Sequence, residues 1–405
     1  MTDPTRSLST RRLAVVLGLL ACVGPFAIDM YLPALPAVAD DLGASITEVQ
    51  ATLTVYFAAF GLSQLVWGPL SDQFGRKAPL LLGLAVFIAG SVLCALAPSI
   101  GWLLAARSLQ AVGGSVLMIV PRAVIRDSAT GTEATRLMAI VMLVISVSPM
   151  LAPLAGSGVI ALGGWRAVFG MLAVAAMASV AVTLAFLPET LPPQHRVRAS
   201  VAAMRQGARR LLADRWFMGL TLIGGLGFAS FFVFLASAAF VYVETYGLSP
   251  TEFSLAFAAK AAGFFAASQA ASWFGQRFGM VRVVLGGVTG FAAFATLLLA
   301  LIAAGYGSLP VLIVCLVLAN GFLGVVLPST MVMALDPHGE IAGLASSLGG
   351  ALQMLIGVAA VALSGPFFDG SPAPMAAAIA GCALLALMLA WSVLGPERRA
   401  GRQAS

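Results

Sequence analysis

Long apolar runs, each about the length needed to cross a bilayer, follow one another from one end of this chain to the other. A hydrocarbon core about 30 Å thick takes roughly 20 helical residues per crossing. Backbone polar groups in lipid must find their partners within the segment, so each run is read as a helix. The runs predict twelve: residues 13–38, 47–67, 78–98, 101–122, 137–161, 166–187, 216–243, 252–274, 281–304, 309–334, 341–366 and 373–395, numbered helices 1 to 12. A lipid-facing β-barrel would show short alternating segments instead. Charge content points the same way. Only 9% of the residues are Asp, Glu, Lys or Arg, against about 25% in a soluble domain. That is too few to cover a water-facing surface, and it excludes disordered and ordinary soluble chains.

The connections carry the orientation. With the N-terminus inside, 19 of the 22 basic residues fall on the inner side. They are Arg6, Arg11 and Arg12; Arg76 and Lys77; Arg122, Arg126 and Arg136; six arginines between 196 and 215; Arg277 and Arg282; Arg398, Arg399 and Arg402. Only Arg166 falls outside, the asymmetry expected of cytoplasmic loops. An even number of crossings puts both termini in the cytoplasm. The basic residues stand singly or in small groups, so nucleic-acid binding is not expected. The four cysteines lie within apolar runs without metal-ligand spacing, so neither a metal nor a cofactor is expected. The stretch STRRLAVVLGLLAC has the look of an export signal, but its apolar run continues past Cys22 and is read as helix 1.

The longest connection, rich in Arg and Pro, divides the chain into an N-terminal six-helix bundle (1–187), a cytoplasmic linker (188–215) and a C-terminal six-helix bundle (216–405). The halves echo each other. Phe74, Gly75 and Gly83 recur as Phe278, Gly279 and Gly287, all at an offset of 204. Gly114 and Pro121 recur as Gly321 and Pro328, offset 207. Duplicated bundles around a midplane site are a transporter architecture.

Three ionisable residues fall deep within spans: Asp29 in helix 1, Arg107 in helix 4 and Lys260 in helix 8. Such groups are expensive in a membrane and mark functional sites by default. Asp29 and Arg107 lie at matching depths of roughly 10–12 Å, within reach of each other if both face a cavity. Burial and a neighbouring cation act on a carboxyl in opposite senses, and their balance suits a group that takes and releases a proton. A static buried pair is the alternative. Lys260 either lines the cavity or snorkels. Adaptable apolar groups for a drug-sized pocket are Phe26, Met30 and Tyr31 in helix 1, Tyr56 and Phe60 in helix 2 and Met118 in helix 4. In the second half they are Phe231, Phe234 and Tyr242 in helix 7, Phe257 in helix 8 and the polar Asn320 in helix 10. The two histidines, His195 and His338, sit in cytoplasmic loops without a catalytic partner in the sequence, so enzymatic chemistry is not expected.

GPLSDQFGRK, from Gly68 to Lys77, closely resembles the loop signature of the major facilitator superfamily. Locally, Gly68 suits close helix approach, Gly75 a sharp turn, and Asp72 a helix N-terminus. The resemblance implies that Asp72, with Arg76 as partner, locks the halves on the cytoplasmic side; Gln276 replaces it in the second copy. LLAARSLQAVGGS resembles the superfamily's helix 4 motif, here Arg107, Gln110, Gly113 and Gly114, associated with proton transfer. SPMLAPLAGSG is similar to the helix 5 antiporter motif, retained in Pro149, Pro153 and Gly156, with Ala152 and Ser157 departing from it. With IDMYLPALP in helix 1 and FASFFVFLASAAFVYVE in helix 7, the whole chain resembles the Bcr/CflA branch of drug:proton antiporters. The resemblance implies a monomer in the bacterial inner membrane, exporting phenicol- or bicyclomycin-like compounds against protons. Asp29 then serves as proton and substrate site. Ala21 lies near the position of a second helix 1 carboxylate found in some relatives. An endogenous metabolite on the same fold is the alternative cargo.

Overall fold

The computed structural model describes residues 10–128, 131–196 and 201–403; Arg6 and Arg198, counted above for orientation, lie outside them. The described residues form an all-helical membrane protein of the expected twelve-helix, two-bundle architecture. Helix 1 is broken into Thr10–Asp29 and Leu35–Leu42 with a short turn, Leu32–Ala34, between them. Helices 2 and 3 are Ile46–Phe74 and Lys77–Ala95. Helix 4 is split at Ser115 into Ile100–Gly114 and Val116–Ser128. Helices 5 and 6 share one run, Gly131–Phe186, broken at Gly163 and Gly164. Helix 7 is Arg215–Phe240 with a π-helical turn, Val241–Thr245. Helices 8 to 12 are Pro250–Phe278, Met280–Ala303, Leu309–Leu335, Ala342–Ser364 and Pro372–Gln403. The linker itself holds a helix, Val201–Ala213, whose Gly207 packs under Leu344 of helix 11.

Among the described residues, ten stretches are long and apolar enough to span a bilayer. One of them, Val147–Phe186, contains two crossings because the chain turns at Gly163 and Gly164, whose backbone angles are not helical. Helix 8 is long enough but less apolar, since it carries Lys260, Gln269 and Gln276.

The internal echo is visible in backbone detail. Helices 2 and 8 are both 29 residues long and are displaced by 204 positions at both ends. Each begins with the same capping box, Ser45 with Glu48 and Ser249 with Glu252. In each, the serine accepts from the N3 amide and the glutamate accepts from the serine's amide. Each helix ends at a glycine with positive φ, Gly75 at 92° and Gly279 at 82°.

The bundles meet along helix 2 with helix 11 and helix 5 with helix 8. Towards the outer ends, Thr47 donates to the Gly365 carbonyl and Gln50 to Ser237. Between helices 5 and 8, Ser157 and Ser254 form a symmetric clasp. Their hydroxyl oxygens are 2.7 Å apart, and each lies within 3.0 Å of both the Pro153 and Pro250 carbonyl oxygens. Deeper, the rings of Phe57 and Phe232 stack at 3.8 Å across the bundles. Arg166, the single basic residue of the outer loops, staples three of them: it pairs with Asp41 at 2.6 Å and donates to the Ala97 carbonyl at 2.9 Å. The Arg166 hydrogen bond, aided by Trp165, holds the Asp41 carboxyl below its ordinary range.

Candidate functional site

The break in helix 1 follows from its prolines. Pro33 has no amide hydrogen, so the Asp29 carbonyl lacks its helical donor, and the chain tightens there. The Tyr31 amide bonds to the Ile28 carbonyl at 3.3 Å. In a continuous helix it would reach Ala27. The Ala27 carbonyl is therefore left free at a helix C-terminus, where the dipole favours a cation. Arg107 fills that place, with Nη1 donating to Ala27 O at 3.2 Å. Arg107 does not pair directly with Asp29; it caps the turn that carries Asp29.

The remainder of the helix 4 motif orients this arginine. Nη1 also donates to Gln110 Oε1 at 2.5 Å, Gln110 Nε2 donates to Ser91 Oγ at 2.8 Å, and Ser91 donates to the Phe87 carbonyl at 2.8 Å. The guanidinium lies 4.1 Å from the Tyr56 ring centroid and 4.8 Å from that of Tyr31. Its Nε and Nη2 are buried without a hydrogen-bond partner. Gly113 lets helix 4 lie against the Phe87 backbone, with Phe87 Cα 2.8 Å from where a Cβ would stand, and Gly114 lies over the Phe87 and Tyr56 side chains.

Asp29 ends the first segment of helix 1 and is 4% exposed. Among the described residues its carboxylate has neither an ion-pair nor a hydrogen-bond partner, yet it is not among the sealed, unsatisfied atoms. The turn after it packs against helices 7 and 8. Gly156 of the helix 5 motif meets the same turn from the other side: a Cβ there would overlap the Met30 carbonyl oxygen and lie 2.9 Å from Met30 Cα.

The aromatic candidates divide by their partners. The Tyr31 hydroxyl is committed to Thr52 at 3.0 Å, because Thr52 gives its own proton to the Val49 carbonyl. Tyr56 stacks on Phe60 and has an unpartnered hydroxyl. Met30 is buried, whereas Phe26 and Met118 are half-buried. In the second bundle Phe234 contacts Tyr242 and Phe257, and Phe231 neighbours Phe232. Lys260 lies over Phe234 and Phe231, and Asn320 donates to the Lys260 backbone carbonyl at 3.4 Å.

The loop signature forms a separate cytoplasmic cluster. Arg76 pairs with Asp72 at 2.6 Å and with Asp127 of helix 4 at 2.6 Å. Asp72 sits in the last turn of helix 2 and does not cap helix 3. That place belongs to Glu189, whose carboxylate accepts from the Arg76 and Lys77 amides at 2.8 and 3.2 Å. The Lys77 ammonium reaches the Leu184 carbonyl at 3.3 Å. Gly75 turns as expected, but Gly68 does not provide close approach: a Cβ there would meet nothing within 4 Å. Pro149 and Pro153 lie within helix 5, and the Pro153 carbonyl receives the Ser157–Ser254 clasp. Asp127, Glu189 and Ser254 gave no local signal, because their partners come from distant helices. At the inner end of helix 7, His338 Nε2 lies 2.9 Å from Asp214 Oδ2. Among the described residues no group of three or more His, Cys, Asp or Glu could hold a metal.

The family profile described as Major Facilitator Superfamily matches residues 17–249. An uncharacterised transporter of Bacillus subtilis (strain 168), YdgK, is 35% identical over 350 residues, covering 85% of this chain and 86% of the relative. A bicyclomycin resistance protein homolog of Haemophilus influenzae is 26% identical over 383 residues, covering 94% and 95%. Among solved structures, a D-xylose-proton symporter superposes with a TM-score of 0.76 at 15% identity, covering 94% of this chain and 97% of that one.

Proposed function

Because the chain belongs to the major facilitator superfamily, and within it to the Bcr/CflA-like drug-resistance branch, we propose that it is a proton-coupled exporter of small amphipathic drugs in the bacterial inner membrane. The observation that carries this reading is Asp29. It is a buried carboxylate at a helix break with no protein partner among the described residues. A structural acid at this depth would be paired; an unpaired one suits a group that binds either a proton or the substrate.

Arg107 supports the role from a distance. It fixes the Ala27 carbonyl two residues before Asp29, and its Nε and Nη2 remain unused. When Asp29 loses its proton, a small change at the turn brings the carboxylate toward those donors; when Asp29 is protonated, the pair separates. The break itself provides the movement, since it already lacks regular helical hydrogen bonds. Substrate lies between the helix 1 break and the aromatic faces of helix 7, with the half-buried Phe26 and Phe231 nearest and the buried Tyr31, Tyr56 and Met30 packed behind them.

The two bundles, residues 1–187 and 216–405, rock about this site as the superfamily's alternating access requires. The protein works as a monomer, and the Asp72–Arg76–Asp127 cluster stiffens the cytoplasmic end of the first bundle. Phenicol- and bicyclomycin-like compounds are the first candidates, since relatives are named a chloramphenicol resistance protein and a bicyclomycin resistance protein homolog.

Everted membrane vesicles test the reading. Respiration acidifies their interior, and drug addition then releases protons, read by an acidity-sensitive dye. Wild-type vesicles show drug-dependent proton release and Asp29→Asn vesicles do not. Normal coupled transport by Asp29→Asn refutes it. Drug-independent proton release with an endogenous metabolite points to the alternative cargo.

A further inference from the structure

Of the chain's two lysines, Lys77 is at a loop and Lys260 is inside the membrane. Lys260 lies ten residues along helix 8 from Pro250, about 15 Å below the outer end at 1.5 Å per residue. That depth is too great for its stem to carry the ammonium to the interface. It is 6% exposed. Its Nζ stands 3.4 Å from the centroid of the Phe234 ring and 5.0 Å from that of Phe231. Among the described residues no carboxylate lies within ion-pair distance and no hydrogen bond leaves the ammonium. Nor is Nζ one of the buried atoms sealed from solvent.

The surroundings hold the lysine in place without supplying a counter-ion among the described residues. Asn320 reaches across from helix 10 to the Lys260 backbone carbonyl, fixing this turn of helix 8. The ring faces offset part of the cost of removing an ammonium from water. The rest calls for an anion or a strong acceptor. Asp29 is not within ion-pair distance of Lys260, although the turn after Asp29 packs against the same two helices, 7 and 8.

We propose that Lys260 receives an anionic or acceptor-rich group of the transported compound, and so selects acceptor-bearing or anionic aryl compounds over lipophilic cations. The half-buried Phe231 presents a face to the aryl body beside that group. Asp29 then meets donor groups of the same compound, which places the two ends of the molecule. The inference rests on the transport reading for the path to the site, but its test is independent of proton coupling.

The probes are tetraphenylborate and tetraphenylphosphonium, ions of closely similar shape and opposite charge. Equilibrium dialysis against the purified full chain in detergent, corrected with protein-free micelles, gives the affinity of each. The borate binds wild type at least about tenfold more tightly than the phosphonium, the effect of one well-placed charge contact. Lys260→Met brings the two within about twofold, and Lys260→Arg keeps the preference. Equal or stronger binding of the cation, failure of the borate to bind wild type, or a preference that survives in Lys260→Met overturns the proposal. Thermal unfolding of each variant confirms that it is folded. If the borate preference and its loss hold while vesicles show no coupling, the antiport reading falls and the Lys260 site stands. If coupling holds while the preference is absent, the reverse is true.

Discussion

Gly156 is the residue through which helix 5 touches the break in helix 1, and a single methyl group tests whether that contact matters. In Gly156→Ala the new Cβ lies 2.9 Å from Met30 Cα and overlaps the Met30 carbonyl oxygen. Ordinary contact needs about 3.5–4.0 Å. The obstacle is backbone, so no rotamer change relieves it, and helix 5 must retreat by about 0.5–1 Å. Overpacking of this kind costs about 1–3 kcal/mol. If the cost falls on the conformer with the break seated on helix 5, its population drops about 5–150-fold relative to the others. Gly158→Ala is the control, since a Cβ two residues on meets nothing within 4 Å. Efflux of an exported drug from cells, with thermal unfolding of the purified protein alongside, reads both. Gly156→Ala lowers efflux and stability, whereas Gly158→Ala leaves both near wild type. Wild-type efflux and stability in Gly156→Ala, or equal losses in both variants, refutes the argument.

Arg107→Met removes a charge-assisted hydrogen bond to Ala27 worth about 1.5–3 kcal/mol, and thermal unfolding shows the loss; Asp29→Asn, which has no such bond to lose, unfolds close to wild type. If Asp29→Asn is the more destabilised of the two, the capping role is wrong. The Asp41 carboxyl is held below its ordinary range by Arg166, so its stabilising contribution is full above about pH 4 and fades as pH falls through the lowered folded value. The stability gap between wild type and Asp41→Asn therefore narrows in acid, and a gap constant down to about pH 3 contradicts this. In a background without the native cysteines, Ser157→Cys with Ser254→Cys crosslinks under mild oxidation, because the two side-chain oxygens already touch at 2.7 Å. The crosslink stops transport and a reductant restores it; crosslinked protein that still transports shows that helices 5 and 8 need not part.

What was legible in the sequence follows from the range of each interaction. The spans could be read because lipid imposes one rule on every residue of a run, and orientation because charge is scarce enough for each arginine to carry information. The echo at an offset of 204 extended to capping boxes and terminal glycines because caps are local chemistry. The helix 1 break, where the sequence was read as one span from 13 to 38, has a local cause in Pro33, but its consequence does not. A freed carbonyl can be foreseen from a proline, whereas the arginine that fills it comes from 80 residues away. The same limit hid Glu189, Asp127 and Ser254, each defined by a partner on another helix. It also explains why depth alone suggested a direct Asp29–Arg107 contact. Two charges at one level can serve each other through a backbone turn as well as through an ion pair. The arrangement found suits an exchanger better: an arginine locked onto the carboxylate would compete with both proton and drug, whereas one that holds the turn leaves Asp29 free to bind either.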